Sequence, residues 1–250
     1  MSLKIETIHE LLGYEHLKIA QNPEMFCFSL DSILLADFIR TKPSTKQIID
    51  LGCGNAPIPL FLSLKTKAKI VGVEIQEEVY ELGMKSVELN GLEGQIKLLN
   101  ADIKDVYRLT GANVFDIAVS NPPYFKLNPG SNINKNKYLT IARHEVKINL
   151  EQIVTEAKKL LKNGGSFNLV HRTERLSETF AVLKQNNFGI RRLRFVYPKK
   201  ENPALLFLLE AWSNKKDDVK VEAPLYVYEN GEYSEEVLEI FNFKKNEYNK

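Results

Sequence analysis

Cysteine is scarce: 250 residues contain only Cys27 and Cys53, which form no C-x-x-C or other paired arrangement. A disulfide framework or a zinc cluster is therefore not what organises this chain, and a reducing cytoplasm is the expected location. The four histidines, His9, His16, His144 and His171, lack ligand spacing, so no metal is expected. No apolar run approaches the ~20 residues needed to span a bilayer. The first stretch, MSLKIETIHELLGYEHLKI, is too polar for a signal peptide, and no membrane partner is expected. An excess of one charge is missing too. The formal charge is +2, so a nucleic-acid partner would have to be met by local patches rather than by the field of the whole chain. What remains, 44% hydrophobic and 26% charged residues, suits one α/β domain with small additions at its ends, expected as a monomer.

Periodicity divides the chain into three parts. Residues 1–45 read as a leader of short elements, with SLDSILLADFI as its clearest helix and Ser29 or Asp31 as the candidate cap. Residues 46–215 alternate strand and helix. The strand candidates are QIIDLG, AKIVGVEI, QIKLLNA, FDIAVSN, SFNLVHR, IRRLRFVYP and ALLFLLEAW. The helices between them include IPLFLSLKT, EEVYELGMKSVELNGL, LEQIVTEAKKLLKNGG and LSETFAVLKQNNF, two of them closed by glycine. This alternation predicts a doubly wound, mostly parallel seven-stranded sheet. The last strand runs antiparallel, since no helix fits before it. Residues 216–250 form an extension of strand plus helix.

In such a sheet, ligands bind outside the carboxyl ends of the strands, where the strand order reverses. DLGCGNAP, Asp50 to Pro57, sits at such an end, and Gly52 and Gly54 let the backbone turn tightly against a ligand. Glu74 ends the second strand, placed to accept hydrogen bonds from both hydroxyls of a ribose. Asp102 follows the third strand and can meet an adenine amino group in the same cleft. A dinucleotide would need its pyrophosphate at the helix N-terminus, where Asp50 adds negative charge and Pro57 replaces the third small residue. S-adenosylmethionine carries an ammonium and a sulfonium instead of phosphate, and the electrostatics favour it.

The fourth strand ends in VSNPPYF. Two prolines give up two donors and fix two φ angles, so the turn is stiff, and Asn121 before them is pushed toward an extended conformation. The Asn121 side-chain oxygen and the Pro122 carbonyl can accept both N–H groups of a planar amine, localising its lone pair for attack. Tyr124 can stack on the ring carrying that amine, and Phe125 can widen the platform. DLGCG and NPPY resemble the cofactor motif and the [DNS]-P-P-[YFW] motif of class I S-adenosylmethionine-dependent methyltransferases that modify planar amino nitrogens. Adenine N6, guanine N2 and protein glutamine N5 are the acceptors that resemblance implies.

A closer resemblance covers nearly the whole chain. FSLDSILLADF, DLGCG, NPPYF, ARHE (Ala142 to Glu145) and PLYVYENGEYSEEVLEIF are together similar to the bacterial tRNA1(Val) adenine-N6 methyltransferase family. It implies a tRNA substrate, methylated on the adenine 3′ of the anticodon. It also implies that Phe28 and Asp31 close over the methionine end of the cofactor. The chain departs from the family where Asn55-Ala56-Pro57 follow the glycine turn in place of the frequent Ser-Gly. The expected catalytic residues are Asn121, Pro122 and Tyr124. The expected cofactor set is Phe28, Asp50, Gly52, Gly54, Glu74, Ile75, Asp102, Ile103 and Asn121. Lys126, Arg143, Arg192, Arg194 and Lys199 are expected to meet RNA, with Arg192 and Arg194 on one strand face as a phosphate track. Lys135, Lys137 and His144 are further candidates in the loop after NPPY.

Overall fold

The computed structural model describes residues 6–25, 28–124 and 148–242. An antiparallel hairpin of β1 (Thr7–Leu11) and β2 (Tyr14–Gln21) leads into α1 (Leu30–Phe38). Then come β3 (Gln47–Leu51), α2 (Pro57–Lys65), β4 (Lys69–Glu74), α3 (Glu77–Leu89), β5 (Ile96–Asn100), α4 (Val106–Thr110) and β6 (Phe115–Ser120). The second half holds α5 (Leu150–Leu160), β7 (Leu161–Arg172), α6 (Leu176–Gln185), β8 (Phe188–Tyr197) and β9 (Leu206–Ser213). Four two-residue strands follow, β10 (Lys220–Val221), β11 (Leu225–Tyr226), β12 (Tyr228–Glu229) and β13 (Glu232–Tyr233), and α7 (Glu235–Ile240) closes the described chain.

The seven expected strands form one sheet in the order β8-β9-β7-β6-β3-β4-β5, with β9 antiparallel to both neighbours and the rest parallel. β10 and β11 lie along the free edge of β8 and bring the sheet to nine strands. The run of apolar residues in β3 follows from burial on both faces. Ile48 points into a core shared with α1, α2, α3 and the β1–β2 hairpin, and Ile49 into a second core with α4, α5 and α6. Adjacent residues on a strand face opposite sides, so one Ile-Ile pair ties together both layers of helices. Each such side chain contributes roughly 1.5–3 kcal/mol by burial.

Two local expectations are corrected. The helix expected to end at Gly164-Gly165 stops at Leu160, and β7 begins at once. The glycines instead fall in a register shift, where Phe115 pairs with Leu161 and Ile117 with Ser166. Gly164 there adopts φ +78°, a conformation that glycine tolerates without strain. At α1, Ser29 occupies the cap position but its side chain makes no capping bond, and Asp31 is engaged elsewhere.

Between β3 and β4 the chain goes one way along the sheet, and at β6 it returns to the other side of β3. Asp50 pairs with Val119 across that reversal, which brings the turn after β3 beside the end of β6.

Candidate functional site

The turn after β3 is built by its own backbone. Gly52 and Cys53 both donate to the Val73 carbonyl, at 2.9 Å each, which folds the chain back over the end of β4. Gly52 and Gly54 take φ of +85° and +56°. Ala56, the cap of α2, also lies in the left-handed region at φ +72°. That is the place where the chain departs from the family's Ser-Gly, so alanine here holds a conformation that glycine adopts more easily. Asn55 is buried and donates to the Ala20 carbonyl at 2.8 Å, tying the turn to β2.

Glu74 closes the next wall. One carboxylate oxygen accepts from Gly54 N–H at 3.1 Å and the other from Gln76 N–H at 2.8 Å. Burial pushes its carboxyl above the ordinary range, opposed by those backbone donors. Asp102 caps the turn of residues 103–105 by accepting from Lys104 N–H at 3.0 Å, and lies 3.1 Å from the Lys104 ammonium. On the far side, Asn121 donates from Nδ2 to Ser32 Oγ at 3.0 Å, and Ser120 Oγ anchors the end of β6 to the Leu51 carbonyl at 2.8 Å.

These elements line one mainly apolar cleft at the carboxyl ends of the strands. Of the expected cofactor set, Phe28, Gly52, Gly54, Glu74, Ile75, Asp102, Ile103 and Asn121 line it, together with Pro122. Asp50 does not. It lies wholly buried beneath the turn, and neither carboxylate oxygen has a hydrogen-bond partner among the described residues. Burial first, and the nearby Glu74 charge second, push its carboxyl well above the usual range. An unpaired buried carboxyl costs stability, and its complement is a donor or a cation. The walls offer Glu74 and Asp102 as acceptors for hydroxyl and amino donors, with the buried Asp50 carboxyl behind the turn, and S-adenosylmethionine fits that set. A pyrophosphate beside Asp50 does not.

Tyr124 sits outside the cleft wall. Its hydroxyl donates to Asp31 Oδ2 at 2.6 Å, and its ring stacks on His171. Asp31 therefore faces Tyr124 rather than the cleft. Ser32, which fixes the Asn121 amide, was not singled out by sequence. Its signal was there, as a polar residue among the apolar positions of α1, buried at 5% exposure.

The phosphate track is overturned at Arg192. Arg192 and Arg194 do share a face, but α1 and the C-terminal segment cover it. The Arg192 guanidinium pairs with Glu210 through Nε, with Glu222 at 3.3 Å and with the Phe38 carbonyl at 2.8 Å, over the Phe38 ring. At 6% exposure it has nothing left for phosphate. Arg194 is committed as well, to the Ala223 carbonyl at 2.9 Å and to Glu236 at 2.7 Å. Lys199 is exposed in the turn between β8 and β9. Phe125, Lys126, Lys135, Lys137, Arg143 and His144 lie outside the described residues. Removing one partner of a buried pair leaves the other uncompensated, typically at about 3–5 kcal/mol. Arg192→Ala is therefore expected to lower Tm by roughly 6–20 °C in calorimetry. An unchanged Tm would return the guanidinium to solvent and reopen its role as a contact.

Among the described residues no helix is long and apolar enough to cross a membrane. A family model described as the methyltransferase small domain matches residues 16–190. A relative from Porphyromonas gingivalis, named tRNA1(Val) (adenine(37)-N6)-methyltransferase, is 26% identical over 203 residues, 76% of this chain and 78% of its own length. A relative of the same name from Haemophilus influenzae is 25% identical over 231 residues, 91% of this chain and 94% of its own. Among solved structures, a predicted O-methyltransferase from Agrobacterium tumefaciens superposes with a TM-score of 0.67 at 22% identity, covering 85% of this chain and 96% of that one. With the glycine turn, the strand-end carboxylates and the stiff Asn-Pro-Pro turn meeting in one cleft, and the family model spanning most of the chain, this protein belongs to the methyltransferase small domain family.

Proposed function

We propose that this protein transfers the methyl group of S-adenosylmethionine to the exocyclic N6 amine of an adenine in tRNA, in the anticodon loop of a valine tRNA. The observation that carries the reading is the meeting of Asn121 and Pro122 with the glycine turn, Glu74 and Asp102 around one cleft. The names of the relatives from Porphyromonas gingivalis and Haemophilus influenzae support the acceptor.

In this reading Glu74 takes the ribose hydroxyls with the lone pairs that Gly54 and Gln76 leave it, and Asp102 receives the adenine end. Asp50 offers the cationic end a counter-charge from beneath the turn. When bound, S-adenosylmethionine supplies a methyl group already activated by its sulfonium. The protein's own work lies on the acceptor. Ser32 holds the Asn121 nitrogen, which presents the amide oxygen, and the prolines hold the Pro122 carbonyl. Those two acceptors take the N–H groups of the target amine and stabilise the positive charge that grows on its nitrogen. Because the turn is rigid, they do so without reorganising. An anticodon-loop base is already unpaired, so presenting it costs less than extruding a base from a duplex.

Labelled S-adenosylmethionine incubated with unmodified total tRNA, followed by nucleoside analysis, tests the reading. N6-methyladenosine is expected. Label on guanosine, or on protein glutamine with none in RNA, would overturn the acceptor.

A further inference from the structure

Tyr124 is held from three directions by elements distant in sequence. Asp31, in the first turn of α1, accepts a hydrogen bond from its hydroxyl at 2.6 Å across 93 positions. Beneath the ring lies His171 of β7, with centroids 5.4 Å apart and planes inclined by 30°. Behind His171 lies Phe207, its partner in register on β9, at 6.4 Å and 25°. Arg175, in the turn after β7, donates from Nη1 to the Tyr124 carbonyl at 3.3 Å and is itself set by Glu178 at 2.8 Å. The three rings make a column running from the centre of the sheet to the end of the Asn-Pro-Pro-Tyr turn.

His171 is fully buried. Its Nδ1 accepts from Arg172 N–H at 2.9 Å, and its Nε2 has no partner among the described residues. Burial above all, then the Arg175 charge, holds it neutral, with a pKa of about 3. An unpaired buried nitrogen earns nothing by its polarity. What this residue supplies is a flat floor. Asp31 supplies the second constraint. A ring stacked on one face can still turn in its own plane, and a hydrogen bond from its hydroxyl removes that freedom.

We propose that Asp31 and His171 are positioning residues for methyl transfer, which fix the plane and in-plane orientation of Tyr124 and act on the substrate only through that ring. This rests on the reading above and adds to it that Tyr124 stacks on the ring carrying the target amine, the role its place in the Asn-Pro-Pro-Tyr turn suggests. The column would then continue into the substrate, each ring setting the next. The resemblance gave Asp31 a different task, at the methionine end of the cofactor, so the two assignments predict different outcomes.

A double-mutant cycle separates them. Asp31→Ala and Tyr124→Phe each remove the same hydrogen bond from one end. Each is expected to lower kcat about tenfold, and the double variant no further than either single one to within about twofold. Affinity for S-adenosylmethionine should stay within about twofold throughout. At the floor, His171→Leu should lose a comparable part of kcat, and His171→Phe should recover most of it by restoring a flat ring. Multiplying losses in the double variant, about a hundredfold together, would overturn the proposal. So would weakened cofactor binding in Asp31→Ala, which would place that carboxylate at the cofactor. The cycle stands even if His171→Leu fails to fold. If the wild type methylates guanosine or glutamine, the adenine reading fails while the same cycle on that acceptor still tests the coupling. If it methylates nothing, both fall.

Discussion

Asn121→Ala is expected to lower kcat by roughly 10²–10³, the usual effect of deleting one group that meets charge developing in the transition state. Cofactor affinity should change by no more than about threefold. The separation follows from where the residue sits. The glycine turn, Glu74 and Asp102 stand on the ends of β3, β4 and β5, whereas Asn121 follows β6 across the strand reversal. Its amide nitrogen is spent on Ser32, so the oxygen is the end available to an amine. Truncation deletes that acceptor and leaves the other walls of the cleft in place. Turnover on tRNA and equilibrium binding of S-adenosylhomocysteine, measured on the same preparation, check it. A parallel fall in both would mean that Asn121 holds cofactor, and the division of labour between β6 and the other strand ends would be wrong.

The parts of this site that could be read from sequence are those in which chemistry and local backbone coincide. Gly52, Gly54, Glu74 and Asp102 each follow or end an apolar run, so a strand assignment also places the side chain. Once three such ends are in order, the doubly wound topology brings them together, and Asn121 joins them through the β3–β6 pairing. The parts that could not be read depend on contacts between residues far apart. Arg192 has the alternation of an exposed strand face, but alternation says which side a residue faces, not what covers it. Its partners are Glu210, Glu222 and the Phe38 carbonyl, the last 154 positions away. The same holds for Tyr124. Its residue type suggested a stacking surface, while Asp31 and His171, which orient it, carry no local pattern that points to it. Asp50 lies between these cases. Its place at the end of β3 was legible, but its complete burial with no partner was not.

That burial makes Asp50→Asn the substitution with opposite effects on stability and function. The carboxyl's native pKa is raised, by burial and then by Glu74, above its unfolded value of about 3.9. Between those two values the native state keeps a proton that the unfolded chain has released, so stability falls as pH rises through that window. Above the native pKa the full cost is present. Glu74, raised by its own burial, adds a contribution of the same sign. The ligand-free protein should therefore lose Tm as pH is taken from about 4 toward neutrality, and Asp50→Asn should lose part of that slope. Above the native pKa the ligand-free variant should be the more stable of the two, because it carries no buried charge to desolvate. Binding should move the other way. Asparagine offers no charge to a cationic ligand, so affinity for S-adenosylmethionine should fall at least about tenfold. In the wild type the same affinity should rise with pH as Asp50 ionises beneath the turn. A thermal-shift series across pH, with and without cofactor, reads both effects in one experiment. A variant that is less stable without ligand and binds as well as the wild type would show that Asp50 serves the fold alone. Opposite signs would show that the protein carries an unpaired carboxyl because the cofactor completes it.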